Sequence, residues 1–456
     1  MSIFKDCDIR GVYGKELTDG DALRIGRGLA AMLPPGGTMR VGGDVRVSTP
    51  ALKAQLIRGL VEGGVRVTDL GTIPTPALYY ALSNGNVDGG ATVTASHNPP
   101  EYNGIKFMLG DEPVSRQTID KLADIVARRD FPRGEGSVVQ LDILPAYRAS
   151  LVKRFGARRP LKVVVDAGNG AMSFVAPDAI RSVGYRVVEL FCEPDGTFPN
   201  RSPNPAEYDK LTAVSAKVVE EGADFGVAFD GDGDRAVFID DRGRPVLSEK
   251  SLVLFIRHLL KDHPTPVVYD QKASSAVRRA TLEMGGAPVP ERSGHAFIKR
   301  RFLELGAAVA GEVSGHFFFG EIGYDDGLFA ALMMADILGV SDRPLSELAD
   351  EIVCPPITPD LRVACPAAQQ QACLDRVEAL AKDHPCEVRH LDGVRLEFPD
   401  GWLLARKSVT AEQLTFRAEA DTPERLDALI DMIASALPAQ MGDALREGAK
   451  DGGNPA

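Results

Sequence analysis

Three carboxylates alternate with glycine in the segment Asp230-Gly-Asp-Gly-Asp234. Glycine permits a tight bend, so the three side chains can converge. Their mutual repulsion would be costly without a cation, and ligand sets made only of oxygen suit Mg²⁺, Mn²⁺ or Ca²⁺ rather than zinc. The segment therefore predicts a site for a hard divalent metal. Arg235 follows directly, and its guanidinium can bind two oxygens of one phosphate in a bidentate manner.

An EF-hand is the main alternative for such an acidic loop, and it fails at two positions. The sixth loop position is Arg235 rather than glycine, and the twelfth is Asp241 rather than glutamate. The flanking segments 225–229 and 236–239 also have the composition of strands and not of helices. An acidic hairpin turn without a function remains the other alternative.

A second candidate is Ser96, which follows a predicted strand in the segment Thr94-Ala-Ser-His-Asn-Pro99. An unactivated serine is a weak nucleophile, and a Ser-His pair taken alone belongs to a turn more often than to a catalytic pair. The chain also lacks the Gly-x-Ser-x-Gly elbow of hydrolases. By itself, Ser96 stays open between a turn residue and a nucleophile.

The elements that must position these residues form a threefold repeat. In each copy a predicted strand ends near an aspartate, a helix follows, and a glycine turn leads into a second strand that contains valine. A second helix then leads to a short apolar strand that ends in an unusual loop. Ligands of α/β sheets gather at such strand ends, so we expect the three loops to meet at one site. The loops are 94–100, 230–235 and 311–316.

The repeat predicts three similar α/β domains with mixed sheets, at residues 1–141, 142–246 and 247–354. Pro355, Pro356 and Pro359 then interrupt the chain, and residues 355–456 have the pattern of a smaller α+β domain. The elements expected in this last domain are a helix over 369–382, strands near 388–398, 402–406 and 414–418, a helix over 423–436, and a frayed end from 447.

Composition limits the classes of function. Of the 456 residues 44% are hydrophobic and 25% charged, so each domain can build its own core. A net charge of -12 argues against nucleic-acid or anionic-membrane binding, and no segment has the apolar length of a membrane span. The six cysteines form no Cys-x-x-Cys pair. We therefore expect free thiols in a cytoplasmic protein.

Taken together, the motifs resemble those of the α-D-phosphohexomutase superfamily, and they occur in that family's order. Segment 94–99 is similar to its phosphoserine loop, segment 230–235 to its Mg²⁺ loop, and Gly311-Glu-Val-Ser-Gly-His316 to its sugar-recognition loop. Asp8-Ile-Arg-Gly11 resembles the opening active-site segment, and Ser293-Gly-His-Ala296 a further substrate segment. The resemblance covers nearly the whole chain, and the combination is specific although the single tripeptides are not.

The resemblance implies three similar α/β domains and a fourth, TBP-like domain around a central cleft. It implies that Ser96 carries a phosphoryl group and that one of its oxygens completes the Mg²⁺ site. Lys106 and His316 would be proton-transfer partners, while Glu312 and Ser314 would bind the 3- and 4-hydroxyls of a sugar. The implied metal ligands are Asp230, Asp232, Asp234 and Ser96; the implied catalytic residues are Ser96, Lys106, His316, Arg10 and Arg235; the implied substrate-binding residues are Glu312, Ser314, His295, Arg406, Ser408, Thr410, Lys272 and His97.

The implied activity interconverts hexose 1-phosphates and hexose 6-phosphates of mannose or glucose through a 1,6-bisphosphosugar. The implied cofactors are Mg²⁺ and, as activator, glucose or mannose 1,6-bisphosphate. Expected partners are small hexose phosphates, without nucleic acid or membrane, and the expected state is a monomer or weak dimer. Glu312 before the Val-Ser pair favours this activity over a phosphoglucosamine mutase, which is the alternative. A non-catalytic sugar-phosphate binder is disfavoured because Ser96 and the three aspartates are all present.

Two segments depart from the family pattern. Cys7 stands where the family often has tyrosine. The phosphate loop of the fourth domain, normally similar to Arg-x-Ser-Asn-Thr-x-Pro, is Arg406-Lys-Ser-Val-Thr-Ala-Glu412 in this chain. Val409 removes an amide donor and Glu412 removes the fixed backbone angle of proline. The two changes predict a weaker clamp on the distal phosphate.

Overall fold

The computed structural model of the protein describes residues 3–110, 113–408 and 412–451, and these residues form four successive sheets. Each sheet is assembled from consecutive strands, so four domains follow one another along the chain. Three of the sheets are mixed and carry helices, and the fourth is antiparallel. The fold class expected from the sequence is therefore confirmed.

The first domain contains a six-stranded sheet. Its elements are β1 Ile9–Val12, α1 Asp19–Met32, β2 Thr38–Gly43, α2 Thr49–Glu62, β3 Arg66–Thr72, α3 Thr75–Ser83, β4 Gly89–Val93, β5 Tyr102–Leu109, α4 Arg116–Arg128 and β6 Ser137–Gln140. The strand order is β1-β5-β4-β2-β3-β6. Strand β2 is parallel to β3 and β4, whereas β5 runs antiparallel to β4.

The second and third domains repeat this arrangement with five-stranded sheets. The elements of the second are α5 Leu144–Val152, β7 Lys162–Asp166, α6 Ala176–Val183, β8 Arg186–Leu190, α7 Thr212–Glu221, β9 Phe225–Phe229, β10 Ala236–Ile239 and β11 Pro245–Val246. Those of the third are α8 Ser248–Leu259, β12 Pro266–Asp270, α9 Ser275–Glu283, β13 Ala287–Glu291, α10 His295–Leu305, β14 Val309–Gly311, β15 Phe317–Phe319, β16 Tyr324–Asp325, α11 Gly327–Gly339 and α12 Leu345–Asp350.

The fourth domain has an antiparallel five-stranded sheet in the order β17-β21-β20-β19-β18. Its elements are β17 Leu361–Ala364, α13 Ala367–Ala379, β18 Glu387–Arg389, β19 Val394–Phe398, β20 Gly401–Lys407, β21 Gln413–Ala420, α14 Pro423–Ala436 and α15 Ala439–Asp451. The strands predicted near 388–398 are β18 and β19. The end predicted to be frayed from 447 is helical as far as the structure describes it, because α15 packs against α14 and β17.

The same turn ends the first long parallel strand of each α/β domain. A buried aspartate at or just beyond the strand end accepts a hydrogen bond from the backbone N–H two residues on, which turns the chain towards the next helix. These bonds join Asp44 to Arg46 (3.0 Å), Asp166 to Gly168 (2.7 Å) and Asp270 to Lys272 (2.9 Å). The shared turn explains why the sequence repeat shows an aspartate at this position.

The three unusual loops occupy one topological position. Each loop connects a parallel strand of its sheet to the antiparallel strand beside it: β4 to β5, β9 to β10, and β14 to β15. A hairpin at this position turns at the carboxyl end of the parallel strands, where ligands of α/β sheets collect. The topology therefore delivers one loop from each domain to the same side of its sheet.

The fourth domain packs on the third through a buried carboxylate. Glu419 in β21 accepts a hydrogen bond from the backbone N–H of Ser275, at the start of α9, at 3.0 Å. The same carboxylate accepts the indole N–H of Trp402 at 3.0 Å, and the Arg395 guanidinium lies 3.7 Å from the centre of the indole ring. A negative charge at a helix N-terminus is favourable, so Glu419 ties the two domains together.

None of the described helices has the length and apolar character needed to cross a membrane. All six cysteines are free thiols, as the sequence predicts.

Helices α1 and α2 cross so closely that their contact depends on glycine. A Cβ atom added to Gly26 would lie 2.2 Å from the carbonyl oxygen of Leu56 and 3.1 Å from the Cα of Gly59. We predict that Gly26→Ala lowers the free energy of unfolding of the first domain by about 2 kcal/mol, the usual cost of overpacking. Gly20→Ala in the same helix is the matched control, since its nearest neighbour would be 3.5 Å away. Urea unfolding followed by circular dichroism measures both, and equal midpoints would contradict the prediction.

Candidate active site

The four domains enclose a cleft of about 1200 Å³. Its walls include residues from the three loops, from the start of the chain and from the fourth domain. Thr410 lies outside the described residues, as does Val409. The predicted site residues that line the cleft are Arg10, Ser96, His97, Lys106, Arg235, Lys272, His295, Glu312, Ser314, His316, Arg406 and Ser408.

The aspartate triplet lies beneath the wall of this cleft. Asp230, Asp232 and Asp234 are fully buried, and each offers a carboxylate oxygen within 4.8 Å of the others. Gly233, between two of them, has a φ of 78°, a left-handed backbone angle that glycine adopts without strain. The alternation of glycine and aspartate therefore produces the convergence expected from the sequence.

The triplet is partly neutralised by a cation from another domain. Lys106 Nζ in β5 donates to Asp232 Oδ2 at 2.8 Å and to Asp234 Oδ2 at 2.6 Å. Burial opposes the ammonium, but the two carboxylates outweigh it and hold the pKa of Lys106 well above its ordinary value. Burial, together with Asp234 and Asp232, raises the pKa of Asp230 well above its usual range.

The donor set fits a hard divalent metal ion. All ligand atoms are carboxylate oxygens, which Mg²⁺ and Mn²⁺ prefer. Asp232 Oδ1 and Asp234 Oδ1 are buried and have no hydrogen-bond partner within the described part of the chain. Leaving such atoms without a partner is costly, so they are available as ligands.

Ser96 lies directly against this carboxylate cluster. Its Oγ donates to Asp230 Oδ2 at 2.7 Å and lies 3.3 Å from Nδ1 of His97. Burial and the positive charges of Arg235 and Arg10 hold the pKa of His97 well below its usual range, so the ring is neutral. The hydroxyl of Ser96 and the aspartates therefore share one small polar centre.

His316 links the second and third loops. Its Nε2 accepts the Nε–H of Arg235 at 3.0 Å, and its Nδ1 lies 2.9 Å from Asp325 Oδ2. Asp325 in β16 is fully buried, and its other oxygen lies 2.9 Å from Nε2 of His295. Burial lowers the pKa of His316, but Asp234 and Asp325 outweigh it and raise the value overall. The carboxylates therefore make the neutral ring a stronger base, and the bond from Arg235 forms only with that neutral ring, which carries its proton on Nδ1.

Glu312 is oriented by its own loop and by the start of α10. Its Oε1 accepts the backbone N–H of Gly294 at 2.8 Å, and its Oε2 accepts the hydroxyl of Ser314 at 3.1 Å. Both side chains line the cleft. A fixed carboxylate beside a hydroxyl is suited to accepting hydrogen bonds from the hydroxyls of a ligand.

The other end of the cleft is built by the fourth domain and the linker before it. Arg406 in β20 lies 3.1 Å from Asp392, and Lys272 donates to Asp360 at 2.8 Å. Ser408 follows β20 directly and lines the cleft. This end therefore gathers cations that could bind a second anionic group.

Arg10 lies at the entrance of the Ser96 loop. Its Nη1 donates to Asn98 Oδ1 at 2.7 Å, and its other terminal nitrogen contacts Asp8. Cys7 also lines the cleft, and burial together with Asp8 and Asp6 raises the pKa of its thiol to about 12. Cys7, which stands where the family often has tyrosine, is therefore a neutral thiol.

Several residues of the site were missed by sequence reasoning. Asp325 orients both histidines, and Thr75 Oγ1 donates to Asp232 Oδ2 at 2.7 Å from a different domain. Lys299 is buried with its ammonium 3.8 Å from the centre of the Tyr79 ring. None of these side chains belongs to a motif with a recognisable spacing, so the sequence carries no signal for them.

Fold and site together define a class: a four-domain α/β protein whose repeated hairpin loops bring a serine, a carboxylate triplet and a histidine to one cleft. Family models for the phosphoglucomutase/phosphomannomutase α/β/α domains I, II and III match residues 1–133, 146–243 and 248–354. The order of the three models follows the order of the three mixed sheets.

Named relatives extend this match to nearly the whole chain. A phosphomannomutase/phosphoglucomutase of Pseudomonas aeruginosa is 38% identical over 96% of this chain and 96% of its own. A phosphoglucomutase of Neisseria gonorrhoeae is 38% identical over 93% and 94%. The crystal structure of a phosphoglucomutase/phosphomannomutase family protein from Burkholderia thailandensis is 36% identical, covers 100% of this chain and 98% of its own, and superposes with a TM-score of 0.88. The chain belongs to the phosphoglucomutase/phosphomannomutase family.

The metal site can be tested without measuring activity. We predict that Asp232→Asn weakens binding of Mn²⁺, used as a paramagnetic probe, at least tenfold, because one anionic ligand is lost. Asp209→Asn is the control, since Asp209 is an exposed carboxylate of the same domain that pairs only with Lys210 in the described structure. Electron paramagnetic resonance titration measures free Mn²⁺. Equal affinity of Asp232→Asn and the wild type would place the metal elsewhere.

Proposed function

We propose that this protein interconverts hexose 1-phosphates and hexose 6-phosphates of glucose and mannose by transferring a phosphoryl group to and from Ser96. The observation that carries the proposal is the contact of 2.7 Å between Ser96 Oγ and Asp230 Oδ2. It brings a candidate nucleophile to the carboxylate cluster that fits a metal ion. Membership of the phosphoglucomutase/phosphomannomutase family supports the same reaction.

Ser96 is the phosphoryl carrier in this proposal. A phosphoryl group on Oγ passes to the free hydroxyl of a bound hexose phosphate, and the resulting 1,6-bisphosphosugar returns its other phosphoryl group to Ser96. Asp230, Asp232, Asp234 and an oxygen of the phosphoserine would hold Mg²⁺, which when bound would neutralise the charge of the transferring group. Arg235 supplies a further positive charge at the same end of the cleft.

His316 is the proposed proton acceptor for the attacking hydroxyl. Asp325 fixes the proton on Nδ1, so the lone pair of Nε2 faces Arg235 and the cleft. Arg235 must release this lone pair when a hydroxyl approaches. Lys106 is a poorer acceptor, because two carboxylates keep it protonated. We therefore assign Lys106 to charge compensation at the carboxylate cluster, while the protonated His316 returns a proton when a sugar oxygen leaves.

The sugar and its second phosphate have separate proposed partners. Glu312 and Ser314 accept hydrogen bonds from the 3- and 4-hydroxyls of the sugar. His295, His97 and Arg10 contact the substrate near Ser96. Arg406, Ser408 and Lys272, with Thr410 as predicted from the sequence, bind the phosphate that is not being transferred. Each turnover exchanges the two ends of the bisphosphosugar, so the fourth domain must release this phosphate and bind it again.

The activator in this proposal is glucose or mannose 1,6-bisphosphate, because either compound can phosphorylate an unmodified Ser96. The cleft is formed within one chain, which supports a monomer or weak dimer as the active state. Six free thiols support a cytoplasmic location, where thiols stay reduced.

A coupled assay with glucose 1-phosphate, mannose 1-phosphate and glucosamine 1-phosphate tests the proposed function. We predict turnover of the first two sugars in the presence of Mg²⁺ and bisphosphate activator. Removal of the metal with EDTA should abolish turnover, and added Mg²⁺ should restore it. Turnover of glucosamine 1-phosphate alone would instead assign the amino-sugar activity. An absence of turnover with all three would favour a sugar-phosphate binder.

Ser96→Ala should reduce turnover by at least a thousandfold, because the covalent route is lost. Peptide mass spectrometry of the wild type, purified after incubation with bisphosphate, should find one phosphate on Ser96. Ser182→Ala, at an exposed position of α6, is the matched control and should retain wild-type turnover. Full activity without phosphate on Ser96 would contradict the proposed carrier.

Glu312→Ala should lower kcat/KM at least tenfold with glucose and mannose phosphates. The variant loses charge-assisted hydrogen bonds to two sugar hydroxyls, each about 1.5–3 kcal/mol. Glu321→Gln is the control, because Glu321 is exposed and pairs with Arg154 outside the cleft. Steady-state kinetics with both sugars measures the effect. An unchanged kcat/KM would remove Glu312 from the substrate site.

A further inference from the structure

Ser96 has a backbone conformation that requires support. Its φ is 50°, in the left-handed region, where a residue with a Cβ atom is less stable by about 1–2 kcal/mol. The direction of Oγ depends on this backbone angle, because the side chain leaves from the same Cα. Contacts that hold the two peptide groups next to Ser96 therefore also fix the direction of its hydroxyl.

One guanidinium holds the carbonyl groups of the loop. Arg46 is fully buried, and its Nη2 donates to the carbonyl oxygens of Ser96 at 2.8 Å and Asn98 at 2.6 Å. Its Nη1 donates to the carbonyl oxygens of Pro99 at 2.6 Å and Tyr102 at 3.0 Å. Four carbonyls of one short loop thus converge on a single planar cation. Only arginine offers donors in such a fixed fork.

A carboxylate connects this fork to the other side of Ser96. Asp44 pairs with Nε of Arg46 at 3.2 Å and accepts the hydroxyl of Thr94 at 2.7 Å. Thr94 Oγ1 in turn accepts the backbone N–H of Ser96 at 2.8 Å. The N–H and the C=O of Ser96 are therefore both held by one network anchored at Asp44, just after the end of β2.

The second domain contains a related pair at the aspartate triplet. Asp166, the counterpart of Asp44 in the repeat, pairs with Nε of Arg201 at 2.7 Å. Nη2 of Arg201 donates to the carbonyl oxygen of Phe229, the residue before Asp230, at 2.8 Å. An aspartate–arginine pair thus supports the backbone of each of the first two loops.

We infer that Arg46, oriented by Asp44 and assisted by Thr94, is a positioning residue that aims the Ser96 hydroxyl for phosphoryl transfer. The inference rests on the proposed function, because it assigns a task within that reaction. Arg46 has no exposed surface and does not line the cleft, so it acts through the backbone of Ser96 and not on the substrate. Its loss should affect the transfer step while the binding of sugar and metal persists.

Arg46→Lys tests this assignment, because it keeps a positive charge and removes the fork. We expect kcat and the single-turnover rate of Ser96 phosphorylation by glucose 1,6-bisphosphate to fall about a hundredfold, the usual effect of a small misplacement of a reacting group. KM should stay within about threefold of the wild type. So should the affinity of the unphosphorylated protein for Mn²⁺, whose expected ligands are then the three aspartates alone. A loss confined to thermal stability, with an unchanged phosphorylation rate, would overturn the inference.

Thr94 provides an independent pair of variants in case Arg46→Lys fails to fold. Thr94→Val removes the hydroxyl that accepts the Ser96 N–H and should lower the phosphorylation rate at least tenfold, whereas Thr94→Ser keeps the hydroxyl and should recover most of the rate. Equal rates for these two variants would overturn the inference. Phosphorylation of Ser96 is also measured in the wild type. If Ser96 of the wild type stays unphosphorylated, the proposed function itself is refuted; if it is phosphorylated, equal rates in the two Thr94 variants refute only this inference.

Arg201→Lys is the comparison variant in the second loop. It disturbs the support of the aspartate triplet, so we expect the unphosphorylated protein to bind Mn²⁺ more weakly than the wild type. A slower phosphorylation of Ser96 in Arg46→Lys and weaker metal binding in Arg201→Lys would show that different arginines hold the serine and the metal ligands. The same loss of metal affinity in Arg46→Lys would show that Arg46 only stabilises the fold around the cleft, and would overturn its assignment to Ser96.

Discussion

Three carboxylates buried within 4.8 Å of one another are the constraint on which the rest of the structure depends. Such a concentration of negative charge is unfavourable in a protein interior unless cations and donors surround it. The first domain supplies Lys106, Thr75 and the Ser96 hydroxyl, and Arg235 follows the triplet itself. The packing of the first domain against the second is therefore also an electrostatic requirement of the site.

The threefold repeat shows how one scaffold can present three loops with different chemical roles. Each copy keeps the aspartate turn after a parallel strand and the hairpin from a parallel strand to the antiparallel strand beside it. The hairpin loop carries different side chains in each copy: a serine in the first, aspartates in the second, and a glutamate and a histidine in the third. Because the scaffold holds the backbone of each loop, the side chains can change without a change in where the loop is delivered.

Much of this site could be predicted because its motifs are local. The aspartate triplet occupies five consecutive residues, so its convergence depends on short-range backbone geometry. Thr75 and Asp232 are 157 residues apart, and such a contact leaves no pattern in a single sequence. Ser96 was predicted as a phosphoryl carrier only by resemblance, because the residues that support its loop, such as Arg46, lie 50 residues earlier and form no local motif with it. Helix α15 was missed because its ordering depends on packing against α14 and β17 and not on its polar, glycine-containing sequence.

The contact of Glu419 with both Ser275 and Trp402 has an optical consequence. The sequence contains one tryptophan, and its indole N–H is bonded to the carboxylate that joins the third and fourth domains. Trp402 and Glu419 lie on paired strands of the fourth domain, so they would move together, and separation of the domains would remove the Ser275 N–H from the carboxylate. The polarity around the indole ring would then change. The emission spectrum of the unlabelled protein should therefore report the position of the fourth domain directly, without an attached fluorophore and without a background from other indoles.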